Sequence, residues 1–396
     1  MRVVVCGAGV AGLTLAGRLT RAGADVVLLE RAPGPRTGGY VLDFFGPGYD
    51  AAEAMGVLPR LLAAGYSFEE VDLVDASGRP RARLSVARAA AAAGGRLVSL
   101  ARPDLERVLR EDLPAGVDVR FGTTVTAVED RPGGVAVTLS GGERIEADLL
   151  AGCDGVRSTV RSLVFGPAER YVRPLPFRVA TFTVQDPVLR EAVGARVCLT
   201  DTAQRTVGLY GLRDGRVAVL ALHRTRETAP PADARAAVRR EHASLGWVVP
   251  RALAACPPPE QVHHDEVAQV VAPGWTRGRV VLVGDAAHAV SLLAGQGASL
   301  AVAGAYLLAE QLRRRPTAEG ALAAYEAALR PLVLDRQEAA HRSARWFVPA
   351  TRRDVLLRRV ALTLLRLPLV DRLVASSLTG GPSSLVADLR AGRSVP

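Results

Sequence analysis

A short β-branched run, Arg2–Cys6, leads into Gly7-Ala-Gly9-Val-Ala-Gly12, and a helical pattern follows over Leu13–Ala22. Gly23 ends that helix, and Asp25–Leu29 reads as a second strand finishing at Glu30. A strand, a glycine-rich turn, a helix and a strand closed by an acid form a βαβ unit for a dinucleotide. The first glycine gives the tight turn, the second lets backbone approach a pyrophosphate, and the third permits close helix–strand packing. The helix N-terminus then offers unpaired N–H groups to the phosphates. Glu30 is placed to accept bonds from ribose hydroxyls. The pattern by itself does not separate NAD from FAD.

Composition limits what this unit can serve. The 396 residues include 50 basic and 40 acidic ones, a net charge of +10. Every basic residue is arginine, lysine and asparagine are absent, and Ile145 is the one isoleucine, the pattern of a GC-rich coding sequence. No Schiff-base lysine, P-loop lysine or lysine general base is available. A pI near 10.2 raises nucleic acid or an anionic membrane as a partner. Yet the arginines are scattered and aromatics make up 5%, too few for a base-stacking platform, so no nucleic-acid partner is expected.

Cys6, Cys153, Cys198 and Cys256 stand far apart with no metal spacing, and read as buried thiols in a reducing cytoplasm. Ala286–Ala309 has the length of a membrane span, but Gly295, Gln296, Gly297, Ser299 and Gly304 dilute it. The expectation is a cytoplasmic chain without a transmembrane segment, monomeric or homodimeric.

Beyond Glu30, Pro33–Gly48 is rich in Gly and Pro and reads as loop, with short helices at Tyr49–Met55 and Leu58–Ala64. Val71–Ala87 reads as paired strands, Ala89–Ala93 as a helical turn or loop, and Asp104–Leu113 as a helix begun by Pro103. From about Pro174 to Val271 the texture turns strand-rich, and Arg279–Val283 then returns to a buried strand type. A second domain inserted in the nucleotide-binding domain follows from this texture. The expected fold is α/β, a Rossmann-like dinucleotide-binding domain with an inserted β-sheet domain and a C-terminal helical segment. The boundaries drawn are 1–70, 98–173 and 272–340 for the first, 71–97 and 174–271 for the second, and 341–396 for the tail.

Two more motifs carry chemistry. Leu150-Ala-Gly-Cys-Asp154-Gly155-Val-Arg157 ends a strand in Asp-Gly, a pattern that alone means only a turn and a surface arginine. Val280-Val-Leu-Val-Gly284-Asp285-Ala-Ala-His288 delivers Asp285 from a strand, and Leu293-Ala-Gly295-Gln296-Gly297 opens a helix with N–H groups. Those donors suit a flavin whose ring gains negative charge on reduction.

The three motifs, in this order, resemble the class A FAD-dependent aromatic monooxygenases, the para-hydroxybenzoate hydroxylase-like family, over residues 1 to about 340, and the resemblance implies that the Rossmann-like domain is an FAD-binding domain (GR2-type) with an inserted β-sheet substrate domain. Gly38-Gly-Tyr-Val-Leu-Asp-Phe-Phe-Gly-Pro-Gly-Tyr49 resembles its small bacterial branch near tetracycline-inactivating and polyketide-tailoring enzymes. The resemblance implies that Gly7, Gly9, Ala11, Gly12, Glu30 and Arg31 bind the ADP half of FAD, with Arg36 and Arg102 near its phosphates. It implies that Asp285 meets the ribityl chain, and that Leu293, Ala294, Gly295, Gln296 and Gly297 sit beside the flavin ring. Asp154 and Arg157 match a motif linked to both FAD and NAD(P)H. The implied reaction takes electrons from NAD(P)H, adds O2 at the flavin C4a carbon and transfers one oxygen to a hydrophobic, aromatic or polycyclic small molecule. One departure is Leu292, where the family carries a loop-stiffening proline.

Other residues weigh less. His263-His264-Asp265-Glu266 alternates across a strand and does not converge on one metal ion, so no metal is expected. His288 reads as packing at a helix start, and Tyr210 and His223 as substrate-pocket candidates on strands of the inserted domain. The basic stretch Arg352–Leu378 reads as an amphipathic tail packed on the substrate domain in preference to a membrane surface. A flavin halogenase needs a catalytic lysine and is excluded. A related FAD oxidase or dehydrogenase, a geranylgeranyl-reductase-like flavoprotein and a non-catalytic FAD-binding protein stay open.

Overall fold

The computed structural model describes residues 1–35, 38–92, 94–227, 229–364 and 385–390. The opening pattern folds as read. Strand Arg2–Cys6, helix Val10–Arg21 and strand Asp25–Glu30 form the βαβ unit, and all of Val3–Val5 and Val26–Leu29 are buried. Strands buried on both faces need continuous apolar runs, which these supply.

They lie in a six-stranded sheet ordered Thr276–Arg277, Val280–Leu282, Leu149–Gly152, Arg2–Cys6, Asp25–Glu30, Asp118–Phe121. All neighbours are parallel except the Thr276–Arg277 hairpin. This register brings three strand ends to one edge: Cys6 pairs with Gly152 and with Leu29, and Gly152 pairs with Leu282. Every chemistry-bearing motif therefore starts where a parallel strand stops, at the carboxyl end that binds ligands in open α/β sheets.

A seven-stranded sheet is ordered His263–Val270, Val172–Val184, Val217–Arg224, Arg205–Gly211, Val197–Thr202, Glu70–Val74, Pro80–Ser85. Its two faces differ. One buries Phe182, Val207, Leu209, Val219 and Ala221 against Val238, Val249 and Leu253 of two helices, Ala234–His242 and Val249–Ala254. The other carries Phe177, Val179 and Leu222, which pack with Leu293 and Val348. Helix Ala318–Phe347 joins the two sheets: its Gln337 donates to the carbonyls of Val270 and Ala289.

Several local expectations change. Pro33–Gly48 is not all loop, because Val41–Phe45 forms a strand paired antiparallel with Leu97–Ala101. Its partner lies more than fifty residues away, and a short run flanked by Gly and Pro gives no local sign of it. The run before Ala93 is a helix, Val86–Ala92, and Ala93 itself is outside the described residues. Helices Pro187–Val193 and Val249–Ala254 were not read from sequence. In the tail, Arg352–Leu364 is helical, while the break at Pro368 lies outside the described residues. Arg358 enters the protein and ion-pairs with buried Asp201 of the seven-stranded sheet at 2.5 Å. No helix among the described residues is long and apolar enough to cross a membrane.

Candidate active site

The glycine turn is fixed by contacts that only glycine allows. Gly7 has φ +107°, and a Cβ there would lie 2.9 Å from the Cα of Asp154. A Cβ on Gly12 would lie 1.8 Å from the Gly7 carbonyl oxygen. Gly9 differs: its Cβ position meets one atom, a Glu106 carboxylate oxygen at 4.0 Å. The second glycine thus faces open space, as a backbone that must approach a phosphate requires. Helix Val10–Arg21 has no side-chain cap, so its first N–H groups keep their donor capacity.

Glu30 accepts the backbone N–H of Ala8 through one oxygen and that of Ala32 through the other, each at 2.9 Å. It braces the turn while half-buried, with lone pairs to spare for a ribose. Ala11 packs on the third motif, its Cβ 2.9 Å from where a Gly284 Cβ would stand. Arg31 is exposed at the rim. Arg36 lies outside the described residues.

Asp154 sits behind Gly7. One oxygen accepts the N–H groups of Thr159 and Val160 at 2.7 and 3.1 Å. The other is buried with no partner among the described residues, and burial raises the carboxyl above its usual range. An orphaned buried acceptor beside a glycine-rich turn is the mark of a site built for a polar ligand. Arg157 points elsewhere, pairing with Asp265 of the seven-stranded sheet at 2.6 Å.

Asp285 starts the short helix Asp285–His288 after Gly284, which has φ +64°. Burial raises its carboxyl, and the Arg102 guanidinium opposes the shift. Arg102 is held by Glu106 at 3.2 Å and by a hydrogen bond with Tyr40. Glu106 thus lies beside the Gly9 turn and holds Arg102, whose charge is felt at Asp285. The Asp285 oxygen in turn lies 3.8 Å from the Cβ position of Gly297.

Gly297 opens the helix Gly297–Arg314, which again has no side-chain cap. Before it, Ser291 holds φ +86°, unusual for a residue with a side chain, and accepts the Leu293 N–H at 3.1 Å. Leu292–Ala294 is a 3-10 turn ended by Gly295 at φ +65°. Gln296 is buried. Leu292, in the proline position, packs beside Leu293 against the apolar face of the seven-stranded sheet.

Tyr210 and His223 part company. Tyr210 alternates with Val207 and Leu209, so it lies on the face opposite the covering helices, and its hydroxyl accepts the Val41 N–H at 2.7 Å. His223 shares parity with Val219 and Ala221 and packs on His242 of helix Ala234–His242, ring centroids 5.4 Å apart. That places His223 on the wrong face for a pocket beside the Leu293 loop. In the His263–Val270 strand, His264 pairs with Ala180 and Asp265 with Val179, on opposite faces.

Three residues without a sequence signal belong to this cluster. Tyr40 and Glu106 fix Arg102. Arg161, fully buried, donates to the carbonyls of Ala286 and Val156 at 2.8 and 2.5 Å, tying the Asp154 segment to the Asp285 helix. His288 is buried against Trp275, centroids 4.7 Å apart, and burial lowers it to about 4, so it is neutral.

A family model described as FAD binding domain matches residues 1–336. A flavin-dependent monooxygenase from an unknown prokaryotic organism is 28% identical over 340 residues, covering 84% of this chain and 86% of that protein. The 2-heptyl-3-hydroxy-4(1H)-quinolone synthase of Pseudomonas aeruginosa is 30% identical over 341 residues, covering 81% and 82%. The crystal structure of tetracycline destructase Tet(55) superposes with a TM-score of 0.81 at 24% identity, covering 96% of this chain and 97% of that one.

Proposed function

The chain belongs to the FAD binding domain family and is an FAD-dependent monooxygenase of class A, and from that premise we propose that it uses NAD(P)H and O2 to place one oxygen atom in a hydrophobic, aromatic or polycyclic small molecule. The observation that carries this reading is the packing of Leu292 and Leu293, just before Gly295-Gln296-Gly297, against Phe177, Val179 and Leu222. An apolar sheet face beside a glycine-rich helix start suits an apolar substrate beside a flavin. The quinolone and tetracycline in the relatives' names support the same substrate class.

The residues present fit FAD. The N–H groups after Gly9 and the guanidinium of Arg102 would hold the pyrophosphate, Glu30 and Arg31 the adenosine ribose, and Asp285 the ribityl hydroxyls. The unpaired oxygen of Asp154 would accept a further hydroxyl or a bridging water. When bound, FAD supplies the electron transfer and the activation of O2. The first turn of Gly297–Arg314 would oppose negative charge on the reduced ring. The Leu292–Leu293 packing excludes water, and Tyr210 lines the substrate side. His288, neutral and enclosed by Trp275, neither charges nor delivers protons at working pH.

Substrate-stimulated NAD(P)H oxidation is the test. FAD-loaded protein should consume NAD(P)H faster in the presence of some members of a panel of quinolones, phenols and polyketides. Consumption that no member stimulates, with all O2 recovered as hydrogen peroxide, would mark an oxidase.

A further inference from the structure

A cleft of about 300 Å3 lies at one end of the seven-stranded sheet, lined by Tyr66, Phe68, Arg190, Gly211 and Arg213. That volume is at the lower limit for a small-molecule site. Its aromatic wall is ordered: Tyr66 and Phe68 stack with centroids 5.6 Å apart and planes 16° apart. Arg213 lies over the Tyr66 ring, 4.8 Å from its centroid, and donates to the Gly65 carbonyl.

Arg190 comes from helix Pro187–Val193. A Cβ on Gly211 would fall 1.2 Å from its Nη1, so the guanidinium occupies the space a side chain would take. Among the described residues this guanidinium has no hydrogen bond or ion pair, although it is half-buried. Asp214 pairs with Arg216 at 2.6 Å and Asp104 with Arg107 at 3.3 Å, while Glu191 and Glu69, next in the chain to Arg190 and Phe68, form no ion pair with Arg190. A cation with open donors beside stacked rings matches a planar ring that carries an anionic group. The ring meets the aromatic faces and the anion meets the guanidinium fork.

The inner wall of the cleft is closed by ring packing. Phe68 meets Tyr210 edge-on, centroids 5.9 Å apart, and Tyr210 lies on the face that carries the Leu293 loop packing. We infer that this cleft is a peripheral subsite that captures aromatic carboxylates or phenolates against its stacked rings and the Arg190 guanidinium. The inference rests on the proposed substrate class.

Isothermal titration of the FAD-loaded protein with naphthoate tests it. Arg190→Gln should weaken naphthoate binding by about tenfold or more, the worth of a charge-assisted pair. Gly211→Ala should weaken it similarly by displacing the guanidinium. Neutral naphthalenemethanol should bind wild type and both variants alike, and the flavin spectrum should not change. Unaltered naphthoate affinity in both variants, or no naphthoate binding by wild type, overturns the inference. Failure of the proposed function shows separately, as absent substrate stimulation of NAD(P)H oxidation.

Discussion

Gly9 and Gly12 are three residues apart and make opposite demands on the chain. Gly12 is locked against the Gly7 carbonyl, so Gly12→Ala should destabilise the protein by roughly 1–3 kcal/mol through overpacking, read as a lower denaturant midpoint. Gly9 faces space, and Gly9→Ala should leave that midpoint unaltered while the flavin-to-protein ratio collapses. Equal loss of stability in both variants would refute this division of roles. Arg161→Met removes two carbonyl bonds from a buried cation and should cost about 2–4 kcal/mol in urea unfolding. The glycines were legible because each has a backbone duty. Arg161 was not, because in a chain whose every base is arginine a buried one looks like any other.

At the scale of elements, the helix-covered face of the seven-stranded sheet carries a pH dependence. Burial and the neighbouring His242 hold His223 down at about 4, and burial lowers His242 and His264 as well. An unfolded histidine titrates near 6.5, so between about pH 6.5 and 4 the unfolded chain binds more protons. Stability is full above that window and is lost as pH falls through it. His223→Leu should flatten the dependence of the urea midpoint on pH, and an unchanged slope would contradict it. Helix Arg352–Leu364 is pinned through Arg358 and Asp201. Asp201→Asn leaves buried Arg358 without its carboxylate, with only carbonyl partners such as that of Trp346, a loss of about 3–5 kcal/mol for that contact, and should open this helix to proteolysis before the sheet. Sequence periodicity found the helices near Leu13–Ala22 and Asp104–Leu113 and the strands Arg2–Cys6, Asp25–Leu29 and Arg279–Val283. It missed the strand Val41–Phe45 and the helices Pro187–Val193 and Val249–Ala254, where pairing and packing partners are distant in the chain. It also proposed His223 from strand membership alone, without the register that turns it to the other face.

For the whole molecule, the sheet register is what converts three separated motifs into one site. Cys6, Gly152 and Leu282 end side by side, so Gly7, Asp154 and Asp285 emerge at one edge, and Ala318–Phe347 fastens the apolar sheet face beside them. The motifs were legible as motifs, while their convergence needed the topology. Many of the fifty arginines that first raised a polyanion partner stand in local ion pairs, and a few stand near the motifs. The most direct measurement supplies FAD-loaded protein with NADPH, isotopically labelled O2 and a substrate that stimulates turnover, and weighs the organic product. A product carrying one labelled oxygen atom, with the other recovered in water, is the predicted result. An unlabelled product, with all the label in hydrogen peroxide, would contradict the monooxygenase reaction.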